Sequence, residues 1–224
     1  MLLAEELALV AIDPESGRRA VGTGSLLNAC LAGLLVAELL LDGTARSGER
    51  DDFVVLADGR RPEDPCLAAA AEVVAEAGPK IKAILSHMDR GLRSHAGAGT
   101  WDLAVAGLVG AGILGPSEGT LRPRHDVLDS GAQDEVVVRL QAAAAGDDPL
   151  DARTAVLLSM TGPAHLLEVV APGRAGRKHA RDRIDHALDT TDLKAVGKLV
   201  RKVLAEAAAT AGAGAVIATG ATSS

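Results

Sequence analysis

Tyrosine is missing from this 224-residue chain, and the other rings occur once each, as Phe53 and Trp101. A core built almost without rings has to be filled by Leu, Val and Ala, which suits helices that cross closely over small side chains. The same shortage excludes recognition of nucleic acid or sugars by ring stacking, so no nucleic-acid partner is expected. Cysteine is scarce too. Cys30 and Cys66 are far apart in sequence, and Cys30 sits in apolar surroundings, so both read as buried free thiols. Positive charge is in deficit, with 23 Lys and Arg against 30 Asp and Glu and a net charge of −7. The deficit is uneven. Residues 1–150 carry 13 cations against 23 anions, whereas residues 151–224 carry 10 against 7. An acidic body with a basic last third can orient towards an anionic surface, although ordinary solvated helix faces give the same numbers. No basic segment precedes the first apolar run, where Glu5 and Glu6 appear at once, so no signal peptide is expected and the chain reads as cytoplasmic.

What is present in quantity is leucine. The stretch from Ser25 to Gly43, SLLNACLAGLLVAELLLDG, is the most apolar run, interrupted only by Asn28 and Glu38. A helix that is apolar nearly all round is buried by others or lies in a membrane. This one is at the short limit for a bilayer, which needs roughly 20 apolar residues, and Glu38 falls in its best part. It therefore reads as a central core helix, capped by Ser25 and stopped at Asp42-Gly43. Glu38 is expected to be a buried carboxylate hydrogen-bonded to a neighbouring helix end.

Around this helix the chain divides readily. Residues 2–12 predict a short helix with Leu3, Leu7 and Val10 or Ala11 on one stripe, followed by a turn at Asp13-Pro14 to Gly17. Residues 44–57 predict a hairpin. Asp64-Pro65 starts a helix to about Ala77. Gly78-Pro79 breaks it, and Ile81, Ile84, Leu85, Met88 and Leu92 mark an amphipathic helix to about Ser94. Thr100 is expected to cap a helix through about Ala111, and residues 112–128 predict a second hairpin or an extended loop. From Asp134 the chain reads as helical, broken at Gly146–Pro149, Gly162-Pro163, Pro172-Gly173 and Thr190–Asp192. The expected fold is mainly α. It is a single helical domain over residues 1–206, with a buried central hydrophobic helix, surrounding amphipathic helices and one or two small β-hairpins. Residues 207–224 read as an Ala/Gly/Thr-rich tail or frayed helix.

Residues that could carry chemistry are few. Gly22-Thr23-Gly24 lacks the third glycine and the preceding strand of a dinucleotide loop, though a helix N-terminus there can still hold an anion. The six histidines do not converge: His179 and His186 are two turns apart on one helix and lack a nearby Cys or Glu. No serine sits in a nucleophile elbow, and no carboxylate pair lies in a setting that tunes it for acid–base work. Neither a cofactor nor an enzymatic activity is expected. The stronger signal is basic. Arg174, Arg177, Lys178 and Arg181 fall at three- and four-residue steps, and Lys194, Lys198, Arg201 and Lys202 repeat the pattern. Such faces can hold phosphate headgroups or face acidic helices of the same chain.

The opening LLAEELALVAID followed by SLLNACLAGLLVAELLLDGTA, then DLAVAGLVGAGIL, RTAVLLSM, HLLEVVAP and RKHARDRIDHAL in that order, resembles the Golgi phosphoprotein 3 family, as a bacterial, actinobacterial-like member. The resemblance covers almost the whole chain. It implies a mainly helical single domain and a non-catalytic peripheral membrane protein that binds phosphatidylinositol 4-phosphate or another anionic phospholipid headgroup. In the family's eukaryotic members this lipid binding accompanies the holding of glycosyltransferases by their cytoplasmic tails. The family's headgroup pocket uses a Trp before the central helix, an Arg on it and two Arg before the hairpin. Those slots fall near Thr23, Ala32, Ala98 and Trp101 here. The resemblance therefore directs attention to the neighbouring Arg18, Arg19, Arg90, Arg93 and Trp101 as headgroup-binding residues, with Arg174, Arg177, Lys178 and Arg181 as an alternative basic face. A protein partner and a homo-oligomer are compatible with the same surface, and a soluble helical scaffold that binds a protein and no lipid is the alternative reading.

Overall fold

The computed structural model describes residues 1–20, 24–50, 52–117, 123–189 and 199. They form nine helices and one two-stranded antiparallel sheet, the mainly α architecture expected. Two helices share the centre. The leucine-rich run becomes α2 (Gly24–Leu41), in which Leu27, Leu31, Leu34, Leu35 and Leu39 are at most 1 % exposed. Each such burial is worth about 1.5–3 kcal/mol. The helix is already formed at Gly24, so Ser25 lies inside it and not at the expected cap.

The second central helix is α1 (Leu3–Val10). It was expected to bury one stripe and instead buries Leu3, Ala4, Glu6, Leu7, Ala8, Leu9 and Val10. The reason is that α2, α5 (Thr100–Gly110), α6 (Ser130–Ala145) and α7 (Ala152–Thr161) all pack on it. Both its ends are tied to neighbours. At the start, the Leu3 N–H donates to Glu38 Oε2 at 2.7 Å, as expected for a buried carboxylate at a helix end. At the finish, Gln133 of α6 donates to the carbonyls of Leu9 and Ile12, each at 2.8 Å. Where α1 crosses α5, Gly107 has Glu5 against it, and a Cβ there would collide with that carboxylate. Burial raises the Glu5 pKa above its ordinary value despite the Leu2 N–H that it accepts.

The carboxylates entering this core come paired. Arg153 of α7 binds Glu38, reaches Glu6 at 3.7 Å and donates to the Met1 carbonyl at 2.6 Å, while Arg139 of α6 binds Glu6. A buried charge is tolerated only with such partners.

On one side, α3 (Pro65–Ala77) and α4 (Ile81–Ala96) form a helical hairpin that packs on α2. Asp64 caps α3, accepting from the N–H groups of Cys66 and Leu67 at 2.8 and 3.0 Å. Gly91 lets α4 approach Val73 of α3 closely. The predicted hairpin at 44–57 is β1 (Ala45–Ser47) with β2 (Val54–Leu56), in register Ala45↔Leu56 and Ser47↔Val54. On the other side, α8 (Leu167–Val170) and α9 (Gly173–Leu188) lean on α6 and α7. The breaks at Gly146–Pro149, Gly162-Pro163 and Pro172-Gly173 fall between these helices. The one at Thr190–Asp192 and the tail over 207–224 lie outside the described residues.

Two further boundaries differ from expectation. Helix α6 starts at Ser130, four residues before Asp134, because Asp129 caps it through the Ala132 N–H at 3.1 Å. Helix α5 is capped at Gly99, and Thr100 is its first residue. The free Thr100 N–H goes to Asp89 of α4 at 2.9 Å. The segment over residues 112–128, expected as a second hairpin or an extended loop, is an arm whose described residues form one antiparallel bridge, Leu114↔Val127, with the Gly115 N–H on the Asp126 carbonyl at 2.8 Å. Both cysteines are free, and burial pushes their thiols up to about 12, which removes thiolate reactivity near neutral pH.

Candidate functional site

The arm and the turn after α1 meet, and a pocket forms where they do. Asp13 builds the turn. Its carboxylate accepts the Ser16 N–H at 2.7 Å, its carbonyl accepts from Gly17 at 2.8 Å, and its N–H donates to Arg18 at 2.8 Å. The Ser16 N–H is the main reason that the Asp13 carboxyl sits below its ordinary pKa. Gly17 then takes φ 63, a left-handed conformation that glycine adopts at little cost. Its carbonyl accepts the His125 N–H at 2.8 Å, and a Cβ at Gly17 would run into the His125 carbonyl. His125 of the arm is thereby held closely against the turn.

Ile12 and Arg19 form an antiparallel bridge that carries Arg18 and Arg19 outward, both exposed. The Arg19 guanidinium lies over the ring of Trp101, 5.2 Å from its centroid. Arg18, Arg19, Trp101, Pro123 and His125 line a pocket of about 350 Å³ together with Ile12 and Gly17. No carboxylate among the described residues pairs with Arg18 or Arg19. The arrangement offers two guanidiniums without a carboxylate partner among the described residues, that of Arg19 over an indole ring, which is chemistry for a phosphate or other oxyanion.

Three of the five residues suggested for a headgroup are thus brought together, and two are not. Arg93 is held at the junction of α4 and α5, 3.2 Å from Asp89 and 3.7 Å from Asp102. Burial works to raise the Asp89 pKa, but the Thr100 N–H and the Arg93 guanidinium outweigh it and keep the carboxyl below its ordinary value. Arg90 is exposed on α4 and does not line the pocket. Ala32, where the family's helix arginine would fall, is 3 % exposed and leaves no room for one.

The alternative basic face also divides. Arg174, Lys178 and Arg181 line an open groove on α9, but Arg177 turns away to bind Glu168 of α8. Lys194, Lys198, Arg201 and Lys202 lie outside the described residues. His179 and His186, read as non-converging, both line one pocket of about 390 Å³ with Asp147, Asp148, Asp182 and Arg183. The α6–α7 connection supplies the two aspartates that sequence spacing could not place there. No group of three or more His, Cys, Asp or Glu among the described residues is placed to hold a metal ion.

His125 is the pocket residue that the sequence did not point to. It lies 106 positions from Arg19, and no spacing rule joins them.

Compared with known families, residues 3–207 match the family model described as Golgi phosphoprotein 3 (GPP34). The chain belongs to the Golgi phosphoprotein 3 family. A comparison with curated proteins gives no match. This Golgi phosphoprotein 3 family chain keeps a buried apolar helix at its centre, and no helix among its described residues is long and apolar enough to cross a membrane.

Proposed function

We propose that this protein is a non-catalytic, peripherally membrane-associating member of the Golgi phosphoprotein 3 family, and that it holds an anionic phospholipid headgroup in the pocket of Arg18, Arg19 and Trp101. Phosphatidylinositol 4-phosphate is the headgroup that the family resemblance implies. The observation that carries the reading is the pair of arginines, neither neutralised by a carboxylate among the described residues, converging at a pocket of about 350 Å³. Binding is electrostatic. Each cation near an anionic surface contributes about 1 kcal/mol, and added salt weakens it.

Co-sedimentation with vesicles tests this. The wild type should pellet with vesicles containing phosphatidylinositol 4-phosphate or phosphatidylglycerol and stay in solution with phosphatidylcholine alone. The double variant Arg18→Ala/Arg19→Ala should bind about thirtyfold more weakly, the equivalent of about 2 kcal/mol. Equal pelleting on neutral and anionic vesicles sinks the proposal. No pelleting on either leaves the alternative, a soluble helical scaffold for a protein partner. A Lys178→Glu/Arg181→Glu variant that alone abolishes binding moves the site to α9.

A further inference from the structure

The chemistry of His125 restricts what the pocket can do at each pH. Its Nδ1 lies 3.0 Å from the Gly115 carbonyl oxygen. A carbonyl oxygen only accepts, so Nδ1 carries a proton. In a neutral ring the other nitrogen, Nε2, must then present a lone pair. Nε2 has no hydrogen-bond partner among the described residues. His125 is 8 % exposed, is held by its backbone to Gly17, and is part of the pocket wall beside Arg18 and Arg19. A lone pair repels the oxygen of a bound anion, whereas an N–H donates to it and adds positive charge.

We propose that His125 is a third cationic contact of the pocket, so that the anion is taken up together with one proton. The inference rests on the headgroup reading and adds a pH dependence to it. Among the described residues, the charged groups around the ring are these. From the turn come Arg18 and Arg19, while Asp13 is occupied with Ser16. From the arm come Arg124 and Asp126, which pair with each other at 2.8 Å. From α5 comes Trp101, uncharged, and its neighbour Asp102 faces Arg93. The bound anion is stabilised by a charge-assisted hydrogen bond that exists only in the protonated ring, so affinity rises as pH falls.

The test uses vesicles of phosphatidylcholine and phosphatidylglycerol, whose phosphodiester does not titrate in the range used. Affinities of the wild type and His125→Gln are compared at about pH 5.5 and about pH 8. Glutamine can still donate to the Gly115 carbonyl but takes up no proton. The wild type should bind about tenfold more tightly at the lower pH, and the variant should keep only the small ratio due to the other five histidines and the general surface charge. An equally steep ratio in the variant, or equal wild-type binding at the two pH values, overturns the inference alone. Absence of binding at both pH values overturns the headgroup reading and this inference with it. A second measurement needs no variant. In the wild type, the His125 ring Cε1–H resonance should move to its protonated position at a higher pH with sulfate than without. A resonance that titrates identically with and without sulfate also overturns the proposal.

Discussion

Arginine is used in two opposite ways in this molecule. At the start of α1, Arg139 and Arg153 are consumed by Glu6 and Glu38, carboxylates that are 4 % and 7 % exposed. At the pocket, Arg18 and Arg19 have an indole ring and a backbone turn around them and no carboxylate among the described residues. The first arrangement holds four helices and the chain start in one register, and none of its charge is left for a ligand. The second contributes little to the fold and leaves its charge available. Arg93 stands between the two cases: it is exposed, yet spent on Asp89 and Asp102. What separates a structural arginine from one proposed to bind is the neighbouring acid, and position in sequence does not decide it.

Removing the acid from the inner network should have the largest effect. Glu38→Ala leaves the Leu3 N–H and part of the Arg153 guanidinium without a partner. Arg153 is 37 % exposed at its side chain, which tempers the loss to about 3 kcal/mol. A chain of this size should then melt about 6–12 °C lower. Vesicle binding by the folded variant should be unchanged, because the pocket lies elsewhere. A variant as stable as the wild type would show that the network is ornamental.

The intermediate case gives a smaller effect with a pH signature. Asp89→Ala removes the acceptor for the first N–H of α5 and should cost about 1 kcal/mol at neutral pH, the usual loss of a helix cap. The folded-state pKa of Asp89 is held below the ordinary 3.8, so its contribution is present above that value and is lost as pH falls through the lowered one. Urea denaturation of both proteins should therefore show a gap at neutral pH that closes in strong acid. A gap independent of pH would mean that the charge is not what matters.

These contrasts bear on what the sequence could disclose. Helices and breaks were legible because local chemistry sets them: Asp64-Pro65 opens α3, and Pro172-Gly173 separates α8 from α9. The burial of α1 was not, because Glu5 and Glu6 look like a wet face until Arg139, 133 residues away, is seen to neutralise Glu6. Thr100 looked like a cap because its hydroxyl is the right chemistry, but Asp89 supplies the acceptor from another helix. At the pocket, Arg18, Arg19 and Trp101 were found through a family likeness. Their convergence with His125 depends on the left-handed turn at Gly17 and the arm that closes on it. The split of the α9 face, with Arg177 drawn to Glu168, was equally invisible to three- and four-residue spacing.

The smallest predicted effect sharpens the comparison at its other end. If free guanidiniums are the whole of the pocket, its aromatic floor is replaceable by any apolar side chain. If the floor aligns them, the ring itself contributes. Trp101→Leu keeps an apolar contact with the core beneath and removes the π face under Arg19. An exposed cation–π contact is worth about 0.5–1 kcal/mol, so vesicle affinity should fall about threefold, well short of the double arginine variant. An unchanged affinity would reduce Trp101 to a wall of the pocket. A loss as large as that of the arginine pair would mean that the indole meets the lipid directly, since alignment of one guanidinium cannot account for so much.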